Sequence, residues 1–369
     1  MPQKTYELEF KTTMLIKDLK LTNYRNHKNL KQSFDKKLTL ITGPNGSGKT
    51  NILEAVYLLA TAKSPRTKYD KDLITHNRKQ CVIDGNIQTQ TDEHQLQLQI
   101  KRSETYENAS SKKARINKVP KSIQKFTGIF NAVLFSPQDI HVLTGSPSEK
   151  RKYMDLLLSQ INSDYKKNLS IYTKALRQRN KVLEMIRDEN RGFGQIEYWN
   201  KKILESGEIL QKYRDELFEF LQPKLYDLIQ HLNGKKTHTK LTYKKNEISK
   251  ARLEKYKEKE IAATNTLIGP HRDEFLVFMD GYDISEFGSR GQQRTVLLGL
   301  KLAEIDYITE TKGERPVLLL DDIFSELDEE HRESVFDVIE KQQTIITRAD
   351  PNINIPSDVS PKDIVLNGN

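Results

Sequence analysis

Hydrophobic and polar positions alternate in short runs along the first third of the chain, a pattern typical of β-strands. Between Met14 and Thr42 the runs LIKDLKL and KLTLIT predict edge strands that lead into a buried strand. Residues 81 to 101 alternate again and predict antiparallel strands, while the apolar VLFS at 133 to 136 predicts another buried strand. A basic polar stretch is expected to form a mobile hairpin tip, with Lys112, Lys113 and Arg115.

Helical spacing replaces alternation in two places. NILEAVYLLATA, which follows Thr50, contains no glycine or proline and predicts a helix with one broad apolar face. From Ser148 to about Leu232 a lysine-rich sequence, broken only by GFG at 192 to 194, predicts two long helices paired back to back. Each would have about 40 residues and extend about 60 Å, so we expect a short antiparallel helical arm.

The order of these elements predicts an α/β nucleotide-binding domain with mixed sheets that is split by an inserted α-helical lobe. The 369 residues are enough for two to three domains, at about 150 residues per domain. A glycine-rich turn in EFGSRGQQRT opens a further helix, and VLLLDD is an apolar strand that ends in two acids. The expected organisation is an N-terminal extension (1–13), the first part of the domain (14–147), the helical insertion (148–261) and the second part (262–369).

Charge and cysteine content narrow the partners and the compartment. Lys plus Arg total 60 and Asp plus Glu 51, which leaves +9. This excess is compatible with a polyanion such as nucleic acid or an acidic membrane, although a lysine-rich genome would produce it too. No apolar run approaches the roughly 18 residues of a membrane span. Cys81, the single cysteine, excludes an intrachain disulfide, and the first residues lack a secretory signal, so we expect a cytoplasmic location.

GPNGSGKT carries the most specific chemical signal, because it satisfies the phosphate-loop pattern GxxxxGK[ST] between a predicted strand and a predicted helix. Glycines allow backbone amides to turn onto phosphates, Lys49 reaches the terminal phosphates, and the Thr50 hydroxyl helps to hold magnesium. The expected nucleotide-binding residues of this loop are Gly43, Pro44, Asn45, Gly46, Ser47, Gly48, Lys49 and Thr50.

VLLLDD at 317 to 322 supplies a second half of the site. An acid just past a buried parallel strand emerges beside the phosphate loop, so Asp321 is the expected magnesium ligand and Asp322 the group that orients or deprotonates water. GSRGQQRT adds a third element, in which Ser289 and Gly291 precede an amphipathic helix and form an anion site.

Other residue patterns give little indication of a further metal or catalytic site. The eight histidines show no HExxH spacing, and no GxSxG sequence is present to indicate acyl transfer. His271 in GPHRD is expected to be a hydrogen-bonded structural histidine. Trp199 and the aromatic residues between Tyr172 and Tyr213 lie at helical spacings, which favours packing over base stacking.

Six motifs in order resemble the ABC-type P-loop ATPase heads, and within them the RecF family, which is related to the chromosome-maintenance ATPases. The resemblance covers nearly the whole chain from Met14 onward. The motifs are LTNYRNHKNL, GPNGSGKTNILEAVYLLATAKSPR, FSPQDIHVLTGSPSEKRKYMD, LIGPHRDEF, GSRGQQRTVLLGLKLAE and LLLDDIFSELD.

The resemblance implies a role for each matching residue. Gly43 to Thr50 becomes the Walker A loop, and Asp321 with Asp322 the Walker B pair. Ser289, Gly291 and Gln292 match the signature motif, and Ser325 to Asp328 the loop that crosses between subunits. Gln138 matches the lid residue that senses magnesium and nucleotide. Arg25 resembles a basic residue that approaches the nucleotide, although a solvated loop arginine is an equally good interpretation.

Two positions depart from the ABC pattern. Asp322 stands where most ABC ATPases have glutamate, one methylene longer, so slow hydrolysis is expected. The switch histidine is also missing, and TIITRAD offers only Thr347 or Asp350 in its place.

By resemblance, the protein would be an ATP- and Mg²⁺-dependent DNA clamp of recombinational repair and replication restart, associated with the nucleoid. It would dimerise with ATP, bind gapped, single-stranded and double-stranded DNA, and act as a weak, DNA-stimulated ATPase. With the RecO and RecR mediators it would help to load recombinase onto gaps and support the SOS response. The candidate DNA contacts are Lys112, Lys113, Arg115, Lys235, Lys236 and Lys240.

Three alternatives remain open at this point. A transporter ATPase subunit would have a compact lobe in place of the helical insertion, together with a clear switch histidine. A chromosome-structuring ATPase needs longer arms than the inserted residues supply. An enzyme that consumes ATP on a small substrate would turn over without DNA.

Overall fold

The structure is a computed structural model of the chain, and it describes residues 13–34, 36–106, 109–234, 236–325, 327, 329–348 and 361–367. The chain divides into unit 1 (Met1–Pro137 and Glu304–Asn369) and unit 2 (Gln138–Ala303). The expected helical insertion, 148–261, falls inside unit 2, and its boundaries as a domain stay a prediction. Residues 1–12 of the expected extension lie outside the described residues.

The strands are β1 (Leu15–Tyr24), β2 (His27–Ser33), β3 (Leu38–Thr42), β4 (Gln80–Gln88), β5 (Glu93–Arg102), β6 (Ser110–Ile116), β7 (Val119–Lys121), β8 (Ala132–Phe135), β9 (Thr239–Lys244), β10 (Glu274–Met279), β11 (Tyr282–Asp283), β12 (Val317–Asp321), β13 (Thr344–Arg348) and β14 (Lys362–Val365). The α-helices are α1 (Lys49–Thr61), α2 (Ile123–Phe126), α3 (His141–Thr144), α4 (Pro147–Ile161), α5 (Ser163–Glu189), α6 (Phe193–Asn233), α7 (Lys250–Ala263), α8 (Ile284–Phe287), α9 (Arg290–Lys312) and α10 (Glu329–Ile339). Short 3₁₀ turns cover Asp70–Leu73, Pro137–Ile140, Pro270–Arg272 and Ile323–Ser325. Within the described residues, no helix is both long and apolar enough to cross a membrane.

Unit 1 contains two sheets that enclose α1. One is antiparallel, with the order β2-β1-β4-β5-β6-β7, and the other is parallel, with the order β14-β3-β13-β12-β8. The helix packs against strands of both sheets, and 11 of its 13 residues are buried. The sequence predicted one broad apolar face, but burial extends around almost the whole helix because sheets lie on two sides of it.

Gln343, just before β13, ties the two sheets of unit 1 together. Its Oε1 accepts a hydrogen bond from the Ile16 amide at 2.7 Å, and its Nε2 donates to the carbonyl oxygens of Ile16 and Phe34 at 3.0 Å each. The side chain is buried, so these bonds satisfy backbone groups that water cannot reach. One amide thus fixes the amino-terminal end of β13, the central strand of the parallel sheet, against β1.

The hairpin tip expected around Lys112, Lys113 and Arg115 is wrong. These residues lie inside β6, which pairs with β5, and the turn comes later, at Asn117 and Lys118. Ala114 faces the core between two outward-pointing cations, which is ordinary strand alternation. The polar composition hid the strand because only one face of it is buried.

Unit 2 carries the predicted pair of long helices, α5 and α6, which pack against each other. The first half of the predicted arm is not continuous, however. Asn162 ends α4 with an extended backbone, and its side-chain oxygen accepts hydrogen bonds from the amides of Asp164 and Tyr165 at 2.9 Å each. This N-cap starts α5 as a new helix, since asparagine competes well for the free amides of a helix terminus.

Arg214, on α6, is the centre of a buried ionic network in unit 2. Its guanidinium lies 2.8 Å from Asp155 and 2.7 Å from Asp273, and it also donates to the Pro270 carbonyl and the Tyr165 hydroxyl. Arg214 is 2% exposed and Asp273 is fully buried. Such a network is stabilising only while every charge has its partners.

We therefore expect Arg214→Met to lower the free energy of unfolding by about 3–5 kcal/mol, because it leaves two carboxylates without a cation. The measurement is urea unfolding followed by far-UV circular dichroism. Arg187→Met is the control, since Arg187 pairs with Asp188 on the surface, and its effect should stay within about 0.5 kcal/mol. Equal unfolding midpoints for Arg214→Met and wild type would contradict the assignment.

Candidate nucleotide site

The phosphate loop occupies the turn between β3 and α1. Gly46 (φ 84°) and Gly48 (φ 99°) have left-handed backbone conformations that favour glycine. A Cβ on Gly48 would also lie 2.5 Å from His27 Nε2, whose ring is 3.2 Å from the Gly48 carbonyl oxygen. The turn between β1 and β2 therefore presses directly on the loop and leaves space only for glycine.

Lys49 places its ammonium group across this loop. Its Nζ donates to the carbonyl oxygens of Gly43 at 2.7 Å and Pro44 at 3.1 Å, and the residue is only 8% exposed. The free amides at the start of the 13-residue helix α1 add their positive end to the same place. Lysine, amides and helix end together form an anion site of the kind that holds nucleotide phosphates.

One carboxylate oxygen of Asp321 accepts hydrogen bonds from two hydroxyl groups. Thr50 Oγ1 donates to Oδ1 at 2.8 Å, and Thr347 Oγ1 donates to the same atom at 2.7 Å. Burial raises the pKa of Asp321, and the two hydrogen bonds only partly oppose this effect. A carboxylate and a hydroxyl are hard oxygen ligands, so the residues present fit Mg²⁺.

Asp322 follows with a left-handed backbone, φ 53°, which is uncommon for a residue with a side chain. Its amide donates to the Thr347 carbonyl oxygen at 3.1 Å, so the chain leaves the sheet immediately beyond Asp321. Strained backbone of this kind is concentrated at functional sites. The geometry is compatible with a water-orienting role for Asp322, which stays a prediction.

Glu54, on α1, is a site residue that the sequence analysis missed. Its buried carboxylate accepts hydrogen bonds from Arg25 Nε (2.9 Å) and Nη2 (2.7 Å), Tyr24 Oη (2.8 Å) and Ser64 Oγ (2.6 Å). Burial alone would raise the pKa of Glu54, but the bonds from Arg25 and Ser64 hold it below its ordinary value. A lone acid inside the apolar run NILEAVYLL was the available signal.

The same contacts show how Arg25 is held. Two of its nitrogens bind Glu54, and Nη1 donates to the Asp72 carbonyl oxygen at 3.0 Å. The arginine therefore anchors its loop to α1 rather than standing free in solvent. Its expected approach to the nucleotide stays a prediction.

Arg66 is a second site residue that sequence pattern does not single out, although it ends the motif GPNGSGKTNILEAVYLLATAKSPR. Its Nη1 donates to Asn51 Oδ1 at 2.9 Å and lies 3.7 Å from Glu54. Its positive charge also lowers the pKa of Asp321, against the larger raising effect of burial. Arg66 thus adds positive potential beside the start of α1.

The signature motif lies at the start of α9, in unit 2. The Ser289 amide donates to Gln292 Oε1 at 2.9 Å, and the Gln292 amide donates to Ser289 Oγ at 3.2 Å, a reciprocal capping arrangement. Ser289, Gly291 and Gln292 are exposed, as is Gln138 in the turn Pro137–Ile140 of the chain. Their contact with nucleotide stays a prediction.

Several expected residues fall elsewhere. In the loop Ser325 to Asp328, positions 326 and 328 lie outside the described residues, as do Asp350 and Lys235. Of the two candidates for the switch position, Thr347 bonds Asp321. His271 is a half-buried structural histidine, held by Tyr172 Oη at 2.7 Å and the Thr266 carbonyl oxygen at 2.9 Å, and loss of solvation lowers its pKa to about 4.

The candidate DNA contacts differ in solvent exposure and in the contacts they make within the protein. Lys112 donates to the Ala62 carbonyl oxygen at 2.6 Å and pairs with Asp70 at 2.9 Å, and its side chain is only 14% exposed. The exposed candidates are Lys113, Arg115, Lys236 and Lys240. Lys112 is therefore the weakest of these candidates.

Comparison with known proteins supports this picture. Residues 15–353 match the family model of the RecF/RecN/SMC N terminal domain. The DNA replication and repair protein RecF of Lachnoclostridium phytofermentans is 34% identical over 338 residues, covering 90% of this chain and 92% of the relative. The protein of the same name from Agathobacter rectalis is 35% identical, with the same coverage of both chains.

Solved structures of known proteins have a similar fold. The recombination mediator protein RecF, described with ATP in the RecFOR pathway, has a TM-score of 0.84 and 30% identity, covering 95% of this chain and 94% of its own. An Smc head domain from Pyrococcus furiosus, bound to the C-terminal domain of ScpA, has a TM-score of 0.51 at 19% identity and covers 92% of this chain and 90% of its own, which supports the fold alone. The fold is that of an ABC-type P-loop ATPase head with an inserted helical lobe, and the chain belongs to the RecF family of DNA replication and repair proteins.

Proposed function

We propose that this protein is an ATP-dependent DNA clamp that acts in DNA replication and repair. The observation that carries the proposal is the single oxygen of Asp321 that accepts hydrogen bonds from both Thr50 and Thr347. It joins the phosphate loop to the acidic strand end, the arrangement with which P-loop ATPases hold a nucleotide and its magnesium. The RecF relatives and the RecF structure described with ATP support the process and the nucleotide.

Each residue of the site has one task in this proposal. The loop amides and Lys49 bind the phosphates, while Thr50 and Asp321 hold Mg²⁺, which would neutralise charge on the transferred phosphoryl group. Asp322 orients the attacking water. Because its side chain is one methylene shorter than glutamate, hydrolysis is slow and bound ATP lasts long enough to act as a switch.

The chain has one phosphate loop and one signature motif, and the exposed Ser289 turn offers helix amides to an anion. We infer that the turn of one copy caps the γ-phosphate held by the other copy. A two-fold dimer would then bury two ATP molecules, and ATP binding and dimerisation become one linked equilibrium. Hydrolysis, stimulated by DNA, would open the dimer.

The closed dimer would bind gapped, single-stranded and double-stranded DNA through backbone phosphates, with little sequence preference. Lys113, Arg115, Lys236 and Lys240 remain candidate contacts because they are exposed. In the cytoplasm, with RecO and RecR, the clamp would help to load recombinase onto gaps and so support the SOS response.

At saturating ATP and Mg²⁺, sedimentation velocity should show a monomer that becomes a dimer, and ATP turnover should rise when gapped duplex DNA is added. Lys49→Ala is the control, because removal of its ammonium group weakens phosphate binding and should leave the protein monomeric. A wild-type protein that stays monomeric with ATP, with and without DNA, would reject the clamp.

Ser289→Arg should abolish ATP-induced dimerisation and leave ATP binding by the monomer unchanged, because a bulky side chain blocks the turn that caps the partner's nucleotide. Sedimentation and a fluorescent-ATP titration measure the two properties. Thr311→Arg adds the same side chain at an exposed position near the other end of α9 and should dimerise normally. Normal dimerisation of Ser289→Arg would exclude the composite site.

Asp322→Asn should lower turnover by at least about tenfold while ATP binding persists, since an amide cannot accept a proton from water. The variant should therefore stay dimeric and release DNA slowly, which stopped-flow dissociation from labelled DNA would measure. Asp188→Asn, on the surface, is the control. Release at the wild-type rate would show that Asp322 does not position water.

A further inference from the structure

Helix α7 of unit 2 presents a row of cations on one face. Arg252, Lys255, Tyr256 and Lys259 follow the spacing i, i+3, i+4 and i+7, so they share a face of the helix, and we call them the α7 stripe. Leu253 and Glu260 are the buried residues of this helix. Lys255 and Lys259 are exposed, while Arg252 and Tyr256 are half-buried.

The stripe lacks the carboxylates that neutralise lysines on a neighbouring helix. On α6, Lys201 and Lys202 lie 3.8 and 3.4 Å from Glu205, and Lys212 lies 3.8 Å from Glu216. Within the part of the chain that the structure describes, the three cations of the stripe have no ion-pair partner. Arg252 donates only to the Glu247 carbonyl oxygen among its side-chain hydrogen bonds there. Three cations without an ion pair on one face create a positive potential that attracts a polyanion.

Tyr256 holds two of these cations in place. The Arg252 guanidinium and the Lys259 ammonium each lie 5.8 Å from the centre of its ring. Cation–π contacts of this kind are attractive, because the face of an aromatic ring is electronegative. They restrict two long side chains before any partner binds, which lowers the entropy cost of binding.

The spacing of the stripe matches a nucleic-acid backbone. Seven residues separate Arg252 from Lys259, which corresponds to about 10.5 Å along the helix at 1.5 Å per residue. One DNA strand carries a phosphate about every 3.4 Å along the duplex axis, so the stripe spans about three intervals between successive phosphates. The three cations can therefore each face a phosphate of the same strand.

The flanks of the stripe favour DNA over the other polyanionic partners. Ala251, Ala262 and Glu258 border it, so it has no large apolar side chain to insert into a membrane surface. Two of its three cations are lysines, which are depleted at the centre of protein–protein interfaces. We propose that the α7 stripe is a contact surface for the DNA phosphate backbone, an inference that rests on the DNA-clamp function proposed above.

The test replaces the charges and keeps the helix. The full-length triple variant Arg252→Gln, Lys255→Gln, Lys259→Gln is titrated into a fluorescent 30-base-pair gapped duplex, with ATP and Mg²⁺, at several NaCl concentrations. We expect the dissociation constant at low salt to rise at least about tenfold. The slope of the logarithm of the DNA-binding constant against the logarithm of the NaCl concentration should become shallower by about 2.7, or about 0.9 for each lost phosphate contact.

The matched control is Lys201→Gln, Lys202→Gln, Lys212→Gln, which removes the same charge from paired lysines on α6 and should leave the salt slope unchanged. The double variant Lys255→Gln, Lys259→Gln spares the half-buried arginine and should make the slope shallower by about 1.8. It serves if far-UV circular dichroism shows that the triple variant unfolds.

Distinct results overturn this inference and the proposed function. If the salt slope of the α7 variants is unchanged, or if the α6 control loses as much DNA affinity as they do, the stripe is not a DNA contact. The clamp proposal still stands in that case, provided that the wild-type protein binds DNA. Unchanged DNA affinity with lost binding to phosphatidylserine vesicles would assign the stripe to a membrane instead. Wild-type protein that binds no DNA as an ATP dimer would remove both proposals.

Discussion

One carboxylate oxygen of Asp321 determines how the nucleotide site is assembled. It accepts hydrogen bonds from the hydroxyl groups of Thr50 at 2.8 Å and Thr347 at 2.7 Å. Thr50 and Thr347 are far apart in the sequence. The contact exists because β13 lies between β3 and β12 in a parallel sheet, with Thr347 opposite Asp321 on one side and opposite Ile41 on the other. Parallel strands gather their carboxyl ends at one edge, and the phosphate loop begins at that edge.

Helix α1 connects the nucleotide site to the hydrophobic core of unit 1. Its first residues belong to the phosphate loop, and its interior is enclosed by two sheets. A buried glutamate inside such a helix is costly unless its charge is paired, and Glu54 is satisfied by Arg25, Tyr24 and Ser64. These bonds connect the loop after β1 and the segment after α1 to one side of the helix, so the site is supported by buried polar contacts as well as by packing.

Charge has two opposite uses in unit 2. Arg214 and Asp273 are buried, hydrogen-bonded to each other and structural, whereas the three cations of the α7 stripe have no carboxylate partner in the described part of the chain. The difference is one of solvation. A buried ion needs partners within the protein, because water cannot supply them, and a solvated lysine keeps its charge available to an external anion.

The sequence by itself determined the local elements and the chemistry that spacing dictates: the glycine loop before a helix, the apolar strand that ends in acids, and the α/β order with a helical insertion. Local pattern failed where a residue had two possible surroundings. The polar sequence of β6 predicts a hairpin tip because only one face of the strand is buried. The helical spacing around Asn162 predicts one continuous helix because a single cap residue ends α4 and begins α5. Only the tertiary structure decided that Glu54 and Arg66 belong to the site, that Lys112 is tied to Asp70, and that Thr347 reaches Asp321. The reason is physical: strand order and burial bring distant residues into contact, and no short-range periodicity encodes them.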